Sequence, residues 1–234
     1  MTYGSFESKR TYEKSIRPEK VSVHALNGIS VSIGKGSFTA VIGKSGSGKT
    51  TLLNVLSGLE IPDSGTVHLG AVELTGLKDR KMAALRRKKI GFVFQKFYLI
   101  PEFTVWENIF IPFYLDDKNP DMEYVEFLLK EMHMWERKDF FPGEMSGGEQ
   151  QRAAIVRALA NRPEILFADE PTGNLDVKNS EEVLALFQKL QRQIGQTVVM
   201  VTHDLDIARR ADRIICLEDG KIVSDTEEEN ECES

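Results

Sequence analysis

Cysteine is scarce in this sequence, whose 234 residues include only Cys216 and Cys232. Two cysteines without metal-like spacing exclude a disulfide scaffold and fit a reducing compartment. Long apolar runs are also missing, since no stretch approaches the roughly 18 apolar residues that span a bilayer. The polar first twenty residues contain no apolar signal core. If the protein works at a membrane, we therefore expect another chain to supply the spans.

Acidic residues outnumber basic residues by 36 to 30, which gives a formal net charge of −6. A field of this sign does not favour nucleic acid, and the sequence contains no sustained heptad pattern. A basic run at residues 86–89 is the local exception, and such runs are typical of a solvated helix end. We therefore expect no nucleic-acid partner.

Short apolar runs alternate with helical patterns, which predicts an α/β fold with a parallel or mixed sheet. Residues 96 to about 160 are mostly helical in pattern, which indicates a helical insert. Asp219-Gly220 between two apolar runs predicts a tight hairpin. Residues 226–234 are acidic and lack an apolar face, so we expect a disordered tail. The predicted strands are residues 37–42, 89–95, 164–169, 197–202, 213–218 and 221–225; the predicted helices are residues 50–59, 122–135 and 149–160.

A glycine-rich turn lies between the first of these strands and the first of these helices. It fits the phosphate-binding (P-loop) pattern G-x-x-x-x-G-K-[ST]. Glycines let main-chain N–H groups wrap phosphate oxygens, and the helix start adds its positive dipole end. We expect Lys49 to reach the β- and γ-phosphates and the Thr50 hydroxyl to bind Mg²⁺. The predicted ATP-binding residues here are Gly43, Lys44, Ser45, Gly46, Ser47, Gly48, Lys49, Thr50 and Thr51.

A second apolar strand ends in two acids, Asp169 and Glu170. Strand ends face the ligand crevice of a parallel sheet, where Asp169 can hold Mg²⁺ directly or through water. Glu170 can orient and polarise an attacking water, and phosphoryl transfer needs little more than such positioning. Kinases, GTPases and motor ATPases share the P-loop, but a guanine-reading Asn-Lys-x-Asp motif is absent, which lowers the GTPase option.

A third motif is Met145-Ser146-Gly147-Gly148-Glu149-Gln150-Gln151-Arg152. Its serine and two glycines precede a predicted helix, so they form a second anion-binding helix start. The motif resembles the signature of ATP-binding-cassette (ABC) ATPases, L-S-G-G-Q or L-S-G-G-E followed by Q-Q-R. Met145 stands for the usual leucine, a swap that we expect to be nearly neutral. Glu149 stands for glutamine, a variant found within the subgroup.

The resemblance covers residues 12–223, with the family's motifs in their usual order. It implies that Gln95 contacts Mg²⁺ and the lytic water, that His203 contacts the γ-phosphate, and that Tyr12 stacks on adenine. The signature residues implied to contact the ATP of a partner subunit are Ser146, Gly147, Gly148 and Glu149. The loop implied to carry signals between the two nucleotide sites contains Asn174, Leu175 and Asp176.

The resemblance also implies an architecture: a P-loop NTPase (RecA-like) core, an N-terminal antiparallel β subdomain and an inserted α-helical subdomain. The ABC domain then spans residues 1–225, with its core at about 1–95 and 157–225 and the helical subdomain at about 96–156. Implied cofactors are ATP and Mg²⁺. Implied partners are a second copy, joined through ATP, and an integral-membrane permease. The aromatic-rich segment after Gln95 is implied to grip that permease, at the cytoplasmic face of the cell membrane.

Within the family, Gly91-Phe92-Val93-Phe94-Gln95 followed by Leu99-Ile100-Pro101 resembles one bacterial branch. That branch includes macrolide-efflux, lipoprotein-release and antimicrobial-peptide exporters. The implied function is an ATP-hydrolysing subunit whose permease exports or extracts peptide, lipoprotein or hydrophobic drug. A cell-division ATPase that regulates cell-wall hydrolases is the open alternative. A soluble ABC protein acting on DNA or ribosomes is disfavoured by the single cassette and the negative charge.

Overall fold

The computed structural model describes residues 2–16, 19–116 and 118–226, with side chains from Ala25 onward. The predicted tail from residue 227 and the Tyr12 side chain therefore lie outside the described residues. Strands in chain order are β1 (Thr2–Ile16), β2 (Glu19–Gly34), β3 (Phe38–Ile42), β4 (His68–Leu69), β5 (Val72–Glu73), β6 (Ile90–Val93), β7 (Ile165–Asp169), β8 (Thr197–Val201), β9 (Arg213–Glu218) and β10 (Lys221–Thr226).

The α-helices follow the predicted alternation. In chain order they are α1 (Lys49–Leu56), α2 (Asp79–Lys89), α3 (Val105–Asp116), α4 (Met122–Glu131), α5 (Gly147–Leu159), α6 (Val177–Ile194) and α7 (Leu205–Ala208), and short 3₁₀ helices lie at Trp135–Arg137 and Pro142–Glu144. None of the helices in the described ranges has both the length and the apolarity that a membrane span requires.

The chain divides into two compact units, of which the first comprises Met1–Met82 and Val199–Ser234. In this unit β1 pairs with β2 antiparallel, as expected for the N-terminal β subdomain. β3 pairs with β9 in parallel, and β9 pairs with β10 antiparallel through the predicted Asp219-Gly220 hairpin. β3 is buried along its whole length, which is typical of a parallel strand covered on both faces.

The second unit comprises Ala83–Val198 and contains the predicted helical segment. β6 and β7 pair in parallel, with Ile90 opposite Ile165. α6 is amphipathic: Asp176 caps its start, Gly195 ends it at φ 63°, and one face is buried. The buried residues of that face are Val183, Leu184, Leu186, Phe187 and Leu190. β8 carries the chain from this unit back to the first, where it lies beside β3.

Three helices differ in their boundaries from the sequence predictions. α1 spans Lys49–Leu56 and not residues 50–59. α4 ends at Glu131, not at residue 135, because His133 adopts φ 53° and the Met134 N–H closes the turn on the Leu129 carbonyl at 2.7 Å. α5 begins at Gly147 and not at residue 149, because Ser146 already caps the helix. The shifts in α4 and α5 follow from local hydrogen bonds, which hydrophobic periodicity does not report.

Candidate active site

The predicted P-loop connects β3 to α1 and packs closely on neighbouring main chain. A Cβ at Gly43 would lie 2.1 Å from the Leu217 carbonyl oxygen, and a Cβ at Gly48 would lie 2.3 Å from that of Ala25. Both glycines also adopt positive φ, 149° and 101°. Only glycine satisfies both conditions, so these two positions define the path of the loop.

Lys49 and Ser47 place their polar groups inside this loop. The Lys49 ammonium donates to the carbonyls of Gly43 at 2.7 Å and Lys44 at 2.8 Å, and the residue is 8% exposed. The Ser47 hydroxyl is buried and makes no hydrogen bond to any residue that the structure describes. A buried donor without a partner in the same loop as a buried ammonium is the chemistry expected of a phosphate cradle.

His203 follows β8 in the same unit and is exposed. Thr202, the residue before it, is held in place because its N–H donates to the Val41 carbonyl of β3 at 3.1 Å. The residue after it, Asp204, caps α7 by accepting from the N–H groups of Asp206 and Ile207 at 2.9 and 3.3 Å. The histidine is therefore presented from a short, well-anchored turn at a strand end.

Gln95 and Glu170 converge on one glycine in the second unit. A Cβ at Gly173 would lie 2.8 Å from the Gln95 amide nitrogen and 3.4 Å from a Glu170 carboxylate oxygen. Glu170 follows Asp169, the last residue of β7, at φ 43°, and its carbonyl accepts the Gly173 N–H at 3.0 Å. Asn174 donates to the Gln95 carbonyl at 2.9 Å. The structure thus brings two predicted catalytic residues together with the predicted inter-subunit loop.

Ser146 and Glu149 form a reciprocal cap at the start of α5. The Ser146 N–H donates to Glu149 Oε2 at 2.9 Å, and the Glu149 N–H donates to the Ser146 hydroxyl oxygen at 3.3 Å. The other Glu149 oxygen pairs with Arg137 Nε at 2.9 Å. The Ser146 N–H, followed by its hydroxyl and Arg137, holds the pKa of Glu149 below its ordinary value. Glutamate at position 149 thus adds an ion pair with Arg137 that glutamine could not form.

The predicted inter-subunit loop and the start of α6 pack on the same helix start. A Cβ at Gly148 would lie 2.3 Å from the amide oxygen of Asn179, and Leu175 lies within contact distance of Gly147. Asp176 accepts from both the N–H and the side-chain amide of Asn179 at 2.8 Å. The Asn179 N–H is also the main reason why the pKa of Asp176 lies below its ordinary value.

Exposed apolar residues follow Gln95, and we call them the docking surface after the permease contact that the family resemblance implies: Tyr98, Ile100, Phe103 and Tyr114. Buried Asn108 of α3 orders the main chain beneath it. Its amide oxygen accepts from the Ile100 N–H at 2.7 Å, and its amide nitrogen lies 3.1 Å from the Ile100 carbonyl oxygen and 3.0 Å from those of Phe103 and Thr104. One side chain therefore shapes residues 100–104.

Comparison with known proteins decides the family. The family model described as ABC transporter matches residues 26–173. The chain belongs to the ABC transporter family. The predicted family, branch and P-loop fold are confirmed, and so is the enzyme class, an ATPase.

Relatives of this ABC domain are similar over most of its length. The lipoprotein-releasing system ATP-binding protein LolD of Porphyromonas gingivalis is 41% identical over 91% of this chain and 98% of LolD. The macrolide export ATP-binding/permease protein MacB of Chlorobaculum tepidum is 43% identical over 93% of this chain but 33% of MacB. The chain thus spans about a third of the length of this MacB relative. The dimeric, post-hydrolysis structure of the ATP-binding cassette MJ0796 with ADP and Pi matches at TM-score 0.84 and 37% identity, over 95% of this chain and 97% of that one.

The sequence prediction missed three residues of the ABC domain that support the site. Arg137 pairs with Glu149, Asn179 packs on Gly148, and Asn108 shapes the docking surface. Of these, Asn108 left a trace in the sequence, because it is an amide among apolar residues of a helix. The other two lie in polar stretches that give no such indication.

Proposed function

We propose that this ABC domain binds and hydrolyses MgATP as a homodimer and drives an integral-membrane permease. The permease exports or extracts a peptide, lipoprotein or hydrophobic drug, and it holds the ATPase at the cytoplasmic face of the membrane. One observation supports the proposal: a single chain has two helix starts of the kind that can bind phosphate, the P-loop before α1 and the Ser146-capped start of α5.

Within the first unit, the P-loop holds the phosphates of the subunit's own ATP. Buried Lys49 supplies the positive charge, and the Ser47 hydroxyl has a free donor for a phosphate oxygen. His203, held at the end of β8, contacts the γ-phosphate. These roles use groups that the folded loop already orients, which is how P-loops stabilise transferred phosphoryl charge.

Thr50, Asp169 and Gln95 are the residues that would hold Mg²⁺. Their hydroxyl, carboxylate and amide oxygens are the hard donors that this ion prefers, with phosphates and water completing its coordination. When bound, Mg²⁺ neutralises charge on the β- and γ-phosphates. Glu170 orients the attacking water, and Gln95, which meets it at Gly173, helps to hold that water in line.

The dimer follows from the second helix start. Ser146, Gly147 and Gly148 bind the γ-phosphate of the ATP held by the partner subunit, so each hydrolytic site needs two copies. Loss of the γ-phosphate removes shared contacts and shifts the population towards the open state. Asn174, Leu175 and Asp176 carry that change between the two sites. The names of the LolD and MacB relatives favour a transporter over the cell-division alternative.

The decisive experiment uses Glu170→Gln, which removes the carboxylate and keeps the side-chain shape. We expect this variant to bind MgATP and accumulate as a dimer in size-exclusion chromatography with light scattering. Adding Ser146→Arg to it fills the second phosphate site but leaves the P-loop intact. That double variant is expected to bind ATP and stay monomeric. A Glu170→Gln chain that remains monomeric at saturating MgATP, with or without its permease, contradicts the proposal.

A further inference from the structure

Arg157 connects α5 to the start of the docking surface through the main chain. Its guanidinium donates to the Phe97 carbonyl at 2.9 Å and to the Tyr98 carbonyl at 2.5 Å. Arg157 lies almost three turns after Gly147, at the far end of the helix whose start carries the signature residues. Helical side chains lean towards the helix N-terminus, so the arginine reaches back along α5.

These two carbonyls are the polar partners of a half-buried cation. Burial lowers the pKa of the Arg157 guanidinium from its ordinary value. In the part of the chain that the structure describes, its hydrogen bonds go to main-chain oxygens and not to a carboxylate. A buried charge is costly unless its donors are paired. Movement of residues 97 and 98 away from the guanidinium is therefore opposed by the arginine itself.

The held segment also touches the start of α5. The Phe97 ring edge would lie 3.7 Å from a Cβ at Gly147, which is ordinary packing distance. Tyr98 adopts φ 46°, a conformation that is unfavourable for a residue with a Cβ. Its ring meets that of Phe94 edge to face, with centroids 5.1 Å apart, yet the residue is 62% exposed. Contacts on both sides thus keep a strained, accessible residue in one position.

We propose that Arg157 is a positioning residue that ties Tyr98 to the signature helix, so that closure at the start of α5 changes the position of the docking surface. The inference rests on the proposed function, because it needs ATP-driven closure at Ser146, Gly147 and Gly148. Arg157 itself touches neither nucleotide nor reacting water. Its contribution is to make the Phe97 and Tyr98 main chain move with α5.

Fluorine NMR of the Glu170→Gln chain tests this coupling directly. Incorporated 3-fluorotyrosine labels all five tyrosines, and Tyr98→Phe identifies the Tyr98 resonance. We expect MgATP to shift that resonance when the dimer forms. Arg157→Met in the same background is expected to form the dimer but to lose the Tyr98 shift. Arg157→Lys keeps the charge and can reach one carbonyl, so it is expected to retain part of the shift.

Arg162→Met is the matched control. The Arg162 guanidinium lies 3.7 Å from the ring centre of Tyr124 and pairs with Asp121 at 2.7 Å. Its removal is expected to move the Tyr124 resonance and to leave the ATP-dependent shift of Tyr98 unchanged. The control therefore shows whether removing any arginine near a tyrosine abolishes the Tyr98 shift, or whether only removal of Arg157 does.

Three results overturn the inference. The first is an equal Tyr98 shift in Arg157→Met or, if that variant does not fold, a full shift in Arg157→Lys. The second is loss of the dimer in folded Arg157→Met, which assigns the arginine to dimer contact. The third is a Glu170→Gln dimer whose Tyr98 resonance does not move. A Glu170→Gln chain that never dimerises is a different result, because it refutes the proposed function.

Discussion

The amide oxygen of Asn179 occupies the place of a side chain at Gly148, only 2.3 Å from where a Cβ would stand. Asn179 cannot turn away freely, because Asp176 holds both its N–H and its side-chain amide. The start of α6 and the start of α5 are therefore in steric contact within one subunit.

Gly148→Ala is expected to destabilise the chain by about 1–3 kcal/mol, since the methyl overpacks a buried site. ATP-dependent dimerisation in the Glu170→Gln background should weaken with it. Urea unfolding and light scattering measure the two effects. Gly148→Ala combined with Asn179→Ala opens the space again, so the double variant should recover most of the lost stability. Strictly additive losses would contradict a direct clash.

Glu149→Gln keeps the reciprocal cap but removes the pair with Arg137. We expect a loss of up to about 1 kcal/mol at pH 7, the usual scale of a partly exposed pair. Because the folded pKa of Glu149 lies below its ordinary 4.5, its charge stabilises the folded chain above that value. This stabilisation is lost as pH falls through the lowered folded pKa.

Urea unfolding of Glu149→Gln and the parent between pH 7 and pH 3.5 measures this effect. The difference between the two should shrink on acidification. A constant difference across this range would exclude the carboxylate charge as its cause. Lys130→Met is a suitable control, because the exposed Lys130–Glu126 pair lies away from the α5 cap.

Gly173→Ala is expected to slow hydrolysis at least tenfold while leaving ATP affinity nearly unchanged. The new methyl would lie 2.8 Å from the Gln95 amide nitrogen, so the Gln95 side chain must shift, and it would touch the Glu170 carboxylate at 3.4 Å. A displacement of this kind impairs water positioning more than phosphate binding. Steady-state ATPase kinetics and nucleotide titration give the two quantities. Gly143→Ala is the control, because a Cβ there meets nothing within 4 Å.

The docking surface predicts where a permease binds. A photo-crosslinker at Tyr98 is expected to capture a co-expressed permease, because Tyr98 is an apolar ring that is 62% exposed. Phe127 on α4 is a control, since it is also partly exposed but lies outside the docking surface. Equal capture from both positions, or from neither, would count against the assignment.

Most motif residues were predictable because their spacing reflects main-chain geometry. A glycine that must meet the Leu217 carbonyl, or a serine that must cap a helix, leaves a fixed pattern in sequence. Glu170 and His203 follow apolar strands for the same reason. Hydrophobic periodicity predicted β3, β6, β7, β8, β9, β10, α1, α4 and α5, and the Asp219-Gly220 pair predicted the hairpin. It did not predict β4, β5, α2, α3, α6 or α7 as separate elements.

Contacts made by long polar side chains across the fold were not predictable. Arg137 reaches Glu149, and Arg157 reaches the carbonyls of Phe97 and Tyr98 across about 60 residues of sequence. Nothing in local propensity encodes such a partner, because tertiary packing selects it. An arginine between Val156 and Ala158, within the buried stretch of α5, was nevertheless a usable sign. The roles proposed for Tyr12 and for the tail stay predictions.

The Asn108 amide, which bonds residues 100, 103 and 104, has a thermodynamic consequence for association. A partner that arrives at the docking surface meets a main chain that is already ordered. Docking therefore costs little conformational entropy in residues 100–104. A small interface can then be selective and still dissociate readily. A low entropic cost of this kind would suit the permease contact proposed above.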